Sequence, residues 1–183
     1  MLCFNPEYRM RKAIGSVFIY KIDPYTMSLT GQKIIHPLNA IVLALINGKR
    51  SINEIIGLLA EVGGVDKEKA NNFLTNFISN SANFLVNDRV NDLYKPEDFI
   101  IPVNDINMAS FRLCSPLSLA LLITYTCTSD CVYCYANRNS AEDKTEMDLK
   151  FAKIIVDQAK DCDVQLIYLG GGDPFIGNIL RSV

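Results

Sequence analysis

The chain has 183 residues, with 18 Lys and Arg against 20 Asp and Glu for a net charge of -2, and it is 49% apolar and 21% charged. At roughly 100 to 200 residues per domain, that length allows one ordinary domain or two small ones and excludes a complete large barrel. The charge balance leaves no cationic field for non-specific nucleic-acid binding, and the apolar content excludes a disordered tail.

The longest uninterrupted apolar run, Ala40 to Ile46, has seven residues. A membrane-spanning helix needs ~20, so no transmembrane segment and no membrane partner are expected. The first residues carry Glu7, Arg9, Arg11, Lys12 and Lys21 and contain no secretory apolar core, which implies a cytoplasmic protein. In that reducing compartment six cysteines point to metal or redox chemistry and not to structural disulfides.

In chain order, Ser16 to Ile22 and Gln32 to Ile35 read as short strands around the turn-rich Asp23-Pro24-Tyr25-Thr26, a β-ribbon. A first helix starts near Leu38, with Leu38, Ile41, Val42, Leu45 and Ile46 on one face and Asn47-Gly48 as its stop. A second begins at the capping box Ser51-Ile52-Asn53-Glu54, followed by the apolar Ile55, Ile56, Leu59 and Val62. A third follows Gly63-Gly64 with Asp66 as N-cap and Ala70, Phe73, Leu74, Phe77 and Ile78 on its apolar face, fraying near Asn80 to Asn83. Pro96, Pro102 and Pro116 then break the periodicity of a linker with one stray strand.

Leu117 to Thr124 is short and nearly all apolar, as a parallel strand covered on both faces would be. Thr145-Glu146-Met147-Asp148 caps a helix bearing Met147, Phe151, Ile154, Ile155 and Ala159, and Gln165 to Leu169 forms the next strand. Strand, helix, strand makes one βαβ unit whose two strands should be parallel and adjacent. The fold class is therefore α/β, divided into a domain over 1–90, a linker over 91–115 and a second domain over 116–183.

Just beyond the first of these parallel strands stand Cys127, Cys131 and Cys134, three thiols in a C-x3-C-x2-C arrangement. Thiolates are soft ligands, and their type alone leaves zinc, copper(I) and iron-sulfur centres open. A closed structural zinc site needs a fourth protein ligand, and the candidates are Cys3, Cys114, Cys162 and the lone histidine, His36. Cys114 and Cys162 both fall at the far edge of the sheet, Cys114 about 26 Å away at ~3.3 Å per strand residue. The three thiolates thus keep one coordination position open, the property of a catalytic metal centre. An iron-sulfur centre is favoured, with zinc or a redox-sensing thiol set as alternatives. Cys3, Cys114 and Cys162 read as small apolar side chains, and His36 as a surface or ribbon-end residue.

The second parallel strand runs into Gly170-Gly171-Gly172-Asp173-Pro174, where missing side chains let a ligand approach the backbone. Alone this is a weak signal, equally a tight turn. In parallel sheets, however, ligands bind beyond the carboxyl ends of strands, and the thiol and glycine loops both leave by that end.

These residues resemble the motifs of the radical S-adenosylmethionine superfamily: Cys127, Cys131 and Cys134 with Tyr133 before the last cysteine, then Gly171-Gly172-Asp173-Pro174. The resemblance implies that the three thiolates hold a 4Fe-4S cluster whose open iron chelates S-adenosylmethionine. One electron, from a separate electron donor, then generates a 5′-deoxyadenosyl radical that takes a substrate hydrogen. Tyr133 would lie near the adenine and the glycine loop, Gly170 to Pro174, near the methionine amino group. The family more often has Glu where this chain has Asp173. Its core is a partial (β/α)6 barrel, of which this chain carries two strands, so a truncated enzyme, or one completed by a chain carrying the rest of the barrel, is implied.

The first ~90 residues resemble the winged-helix-like leader-recognition domain of radical S-adenosylmethionine peptide maturases, similar to the peptide chaperone of pyrroloquinoline quinone biosynthesis. The likeness lies in the order ribbon then three helices, and in Pro37-Leu38-Asn39 through Gly48-Lys49-Arg50-Ser51. It implies a precursor peptide whose leader adds a strand to the ribbon edge and packs on the third helix. The expected function is post-translational modification of a ribosomally made peptide. The rival is an iron-sulfur or zinc redox sensor whose winged-helix half reads DNA, with Lys49-Arg50 and Arg9 to Lys12 as a small basic patch.

Overall fold

Short strands with one buried side open the chain. The computed structural model describes residues 1–109, 112–129, 131–135 and 146–176. It places β1 (Leu2–Phe4), β2 (Tyr8–Lys12), β3 (Val17–Ile22), β4 (Leu29–Ile35), α1 (Pro37–Leu45), α2 (Ile52–Gly63), α3 (Lys67–Asn80) and β5 (Leu85–Asn87) in a first unit, Met1–Cys114. β6 (Ser118–Thr124), α4 (Leu149–Asp161) and β7 (Leu166–Gly171) belong to a second, Ser115–Val183. None of these helices is long and apolar enough to cross a membrane.

The ribbon expected near the N-terminus is a three-stranded antiparallel sheet in the order β2-β3-β4, with a register irregularity between Ile19 and Lys21. β2 escapes sequence reading because Arg9, Arg11 and Lys12 dilute its apolar content, although Met10 and Arg11 are buried. β1 pairs separately with β5. The core joins Val17 and Ile19 of the sheet to Leu43 of α1, Ile55 of α2, and Leu74 and Phe77 of α3.

Helix boundaries follow local chemistry. His36 caps α1, its Nδ1 accepting the Leu38 N–H at 3.2 Å. Ser51 and Glu54 form a reciprocal capping box on α2, and the Ser51 amide and hydroxyl hold the Glu54 carboxyl below its ordinary range. The helix stops at Gly64 with φ 60°, a left-handed conformation that glycine takes without strain. Asp66 caps α3 through the Lys69 N–H at 2.8 Å.

The stretch read as a linker supplies side chains to this unit. Phe99 is 2% exposed in the core. Tyr94 packs against it and its hydroxyl accepts the Met10 N–H at 2.8 Å, while the buried Asn91 amide donates to the Phe4 carbonyl at 3.2 Å. Three isolated side chains carry this docking, so no periodicity announces it.

In the second unit β6 and β7 are parallel and adjacent, from Ser118 opposite Leu166 to Thr124 opposite Gly171. Leu121 and Ile123 are buried with Leu149 and Ile155 of the α4 side packed against them. The strand expected to be covered on both faces is covered on one, because Ala120 and Leu122 are exposed. The N-cap of α4 is Asp148, which accepts from Lys150 and Phe151 amides. The capping box read from Thr145 rests on a residue outside the described ones.

Docking of the 91–114 stretch makes a prediction. Phe99→Ala should cost the first unit about 3 to 5 kcal/mol in chemical denaturation, as a buried phenylalanine does; a loss below about 1 kcal/mol would mean that the stretch is not part of the core.

Candidate functional site

β6 and β7 deliver the thiol loop and the glycine run to one end of their sheet. The last β6 residue, Thr124, is 1% exposed, and its hydroxyl accepts the Thr126 N–H at 3.0 Å, so the chain turns sharply into Cys127. From the other strand, the Gly172 N–H donates to the Thr124 carbonyl at 2.6 Å and the Asp173 N–H to the Thr126 carbonyl at 2.8 Å. The residue directly before the first cysteine is thereby tied to the glycine run.

The glycines are required by that approach. Gly171 has φ 114°, and a Cβ on it would stand 2.1 Å from the Thr124 carbonyl oxygen. A Cβ on Gly172 would stand 2.1 Å from the Thr126 carbonyl oxygen. These distances lie inside van der Waals contact, and rigid backbone blocks them. The space opened by the missing side chains, which sequence reasoning reserved for a ligand, admits the protein's own carbonyls.

On the far side of the cysteines, Tyr135 reaches back. Its Oη accepts the Gly171 N–H at 3.1 Å. Both flanks of the thiol loop therefore end on the same three residues, Gly171 to Asp173. Sequence reasoning named Tyr133, for the adenine, and did not single out Tyr135, the second aromatic directly after Cys134. Tyr133 itself is 85% exposed.

All six cysteines are thiols. Cys127 is half-buried, with its sulfur accepting the Ser129 N–H at 3.4 Å, and Cys131 and Cys134 are exposed, linked by the Cys134 N–H to the Cys131 carbonyl at 3.2 Å. Among the described residues no three His, Cys, Asp or Glu side chains are gathered as metal ligands. Three soft donors within eight positions have the composition from which thiolate sites are built. Cys162 lies where sequence reasoning put it: its carbonyl accepts from the Ser115 hydroxyl at 2.6 Å, at the end of the sheet where β6 and β7 begin.

The other polar groups of the glycine run are largely committed. With the N–H groups of Gly171, Gly172 and Asp173 bonded within the protein, the run's remaining polar groups are acceptors, the Gly172 carbonyl and the Asp173 carboxylate among them. One carboxylate oxygen of Asp173 also takes the Phe175 N–H at 3.0 Å. Pro174 is half-buried in the turn that follows.

The first unit holds a second candidate feature. Of the two edges of its sheet, that of β2 is engaged by the Tyr94 hydroxyl on Met10 and by Lys12 reaching the Ile100 carbonyl at 2.8 Å. β4 forms the other edge and pairs with β3 alone among the described strands. Beside it a groove of about 210 Å³ runs between Lys33, Ile34 and Ile35 of β4 and Phe77 and Ser81 at the end of α3, closed by Phe84. Lys33 sits 5.7 Å from the centre of the Phe84 ring. A larger cleft of about 330 Å³ is lined by Glu7, Arg9, Lys21 and Asp23. Arg9 donates to the Pro6 and Tyr8 carbonyls, and the Thr26 and Tyr25 amides bind Asp23 and hold its carboxyl below the usual range.

Comparison with known proteins bears on the fold. No protein-family profile matches the chain. An uncharacterized protein of Methanocaldococcus jannaschii is 36% identical over 67 residues, 36% of this chain and 22% of that protein. Among solved structures, the chain resembles Streptococcus suis SuiB, crystallised bound to precursor peptide SuiA, at 18% identity and a TM-score of 0.50. That likeness covers 100% of this chain and 40% of SuiB, so the chain spans well under half of either protein. The α/β fold of this chain is thus similar to that of a protein that binds a precursor peptide.

Burial separates the thiols in a way that labelling can read. Cys3 is fully buried, and burial, with the Asp92 carboxylate nearby, pushes its thiol above the ordinary value. Because the thiolate is the reactive form, Cys131 and Cys134 should alkylate rapidly in the metal-free chain and Cys3 only after unfolding, as mapped by mass spectrometry. Cys3 labelling at the rate of Cys131 would contradict the fold of the first unit.

Proposed function

We propose that the chain is the N-terminal part of a radical S-adenosylmethionine enzyme that modifies a ribosomally made precursor peptide. The observation that carries this reading is the convergence of the Cys127-Cys131-Cys134 loop and the Gly170 to Pro174 run at one end of a parallel strand pair, stitched together at Thr124 and Thr126. The fold's likeness to SuiB, a protein solved with its precursor peptide, supports it from a second direction.

The donor set fits the implied groups. Cys127, Cys131 and Cys134 would hold the 4Fe-4S cluster, three thiolates leaving a fourth position for a small molecule. The acceptors of the glycine run, the Gly172 carbonyl and the Asp173 carboxylate, suit a ligand that presents an ammonium group, as S-adenosylmethionine does. Tyr133 offers an exposed aromatic face for its adenine. When bound, this pair of cofactors supplies one-electron hydrogen abstraction, which no side chain performs. The protein's share is to hold the thiol loop and the acceptors in fixed register. An electron donor, and a chain or segment supplying further βα units, are the remaining partners of this reading.

In the first unit, the β4 edge and the groove beside α3 suit an extended peptide. An added strand would satisfy the outer N–H and C=O groups of β4, and its side chains would enter between Ile34 and Phe77.

Anaerobic reconstitution tests the cofactor reading: about four irons and four sulfides per chain are expected, with a spectral change on adding S-adenosylmethionine. Replacing Cys127, Cys131 and Cys134 by Ser should abolish uptake. One zinc without sulfide would favour a redox sensor. For the peptide reading, the genome should encode a short peptide beside this gene, and that peptide should slow hydrogen exchange at the β4 amides; no such gene, or protection that fell elsewhere, would refute it.

A further inference from the structure

Tyr135 links the far flank of the thiol loop to the glycine run. The near flank is held by backbone alone, Gly172 to Thr124 and Asp173 to Thr126. The far flank is held by a side chain, the Tyr135 phenol on the Gly171 N–H. Gly170 completes the arrangement, since a Cβ there would stand 2.9 Å from the Tyr135 oxygen and 3.7 Å from Leu122. The former contact is too close and the latter ordinary, so a methyl group at 170 would displace the phenol and little else. Gly170 therefore reads as a residue kept small for Tyr135.

We propose that Tyr135 is a positioning residue: by accepting the Gly171 N–H it closes the thiol loop onto the glycine run and sets the separation between the three thiolates and the acceptors at Gly172 and Asp173. This rests on the cofactor reading given above. A ligand bound at once by the open iron and by those acceptors needs both at a fixed spacing, while metal uptake needs only the thiols. The two quantities should therefore part company when the phenol is removed. The Tyr135 ring is 74% exposed, so water competes for the bond and its loss costs a modest factor.

The test compares the 183-residue chain with Tyr135→Phe, Gly170→Ala and the double variant, each reconstituted anaerobically with iron and sulfide. Iron content should stay equal in all four. The dissociation constant for S-adenosylmethionine, read from the change in the cluster's electron paramagnetic resonance, should rise about three- to tenfold in each single variant. The double variant should be no worse than Tyr135→Phe, because both changes remove one bond. In the metal-free chain, the Gly171 amide should exchange about threefold faster in Tyr135→Phe. Unaltered Gly171 exchange overturns the proposal, and so does an additive loss in the double variant. If the unsubstituted chain takes up no iron, the cofactor reading fails, and Gly171 exchange alone then decides the role of Tyr135.

Discussion

Two short backbone contacts, from Gly172 to the Thr124 carbonyl and from Asp173 to the Thr126 carbonyl, organise the chemistry-bearing end of this protein. They exist only because no side chain stands at 171 or 172, where a single carbon would meet a carbonyl oxygen at 2.1 Å. The glycines join one loop to another, and the donor and acceptor character of the site follows. Once the N–H groups turn inward to Thr124, Thr126 and Tyr135, the groups that remain along the run are acceptors, the Gly172 carbonyl and the Asp173 carboxylate among them.

The first unit obeys a different constraint, the need to dispose of two sheet edges. One is closed from within by residues far along the chain, Tyr94 and Ile100, which reach back to β2. The other, β4, lies beside an apolar groove whose walls are a strand and the end of a helix. That asymmetry gives the peptide reading its physical content, because an edge strand beside a groove has unpaired backbone groups and a place for side chains together. It also accounts for the stretch after β5, whose buried Phe99 and hydrogen-bonded Tyr94 make it a working part of the unit.

The parallel pair of the second unit is covered on one face among the described residues. Leu121 and Ile123 face α4, whereas Leu122 of β6 and Tyr168 of β7, on the other face of the pair, are exposed. Parallel strands are ordinarily covered on both faces, and the chain spans 40% of the SuiB structure it resembles. The two facts agree with the proposal of further βα units beyond those described.

Much of this was legible from residue order, because it depends on neighbours. Ser51 and Glu54 lie three apart and cap α2; Asp66 caps α3; short apolar runs around one amphipathic helix form the parallel pair β6–β7. The clustering of Cys127, Cys131 and Cys134, and their placement at the same sheet end as Gly170 to Pro174, follow from strand direction alone. Contacts between residues far apart in the chain were not legible, since they carry no period and no spacing. Met10 with Tyr94 and the burial of Phe99 are of that kind. So is the pairing of Tyr135 with Gly171. Which glycines face the protein and which face a ligand is likewise settled only by folding, because a missing side chain is a space, and only the packed chain decides what fills it.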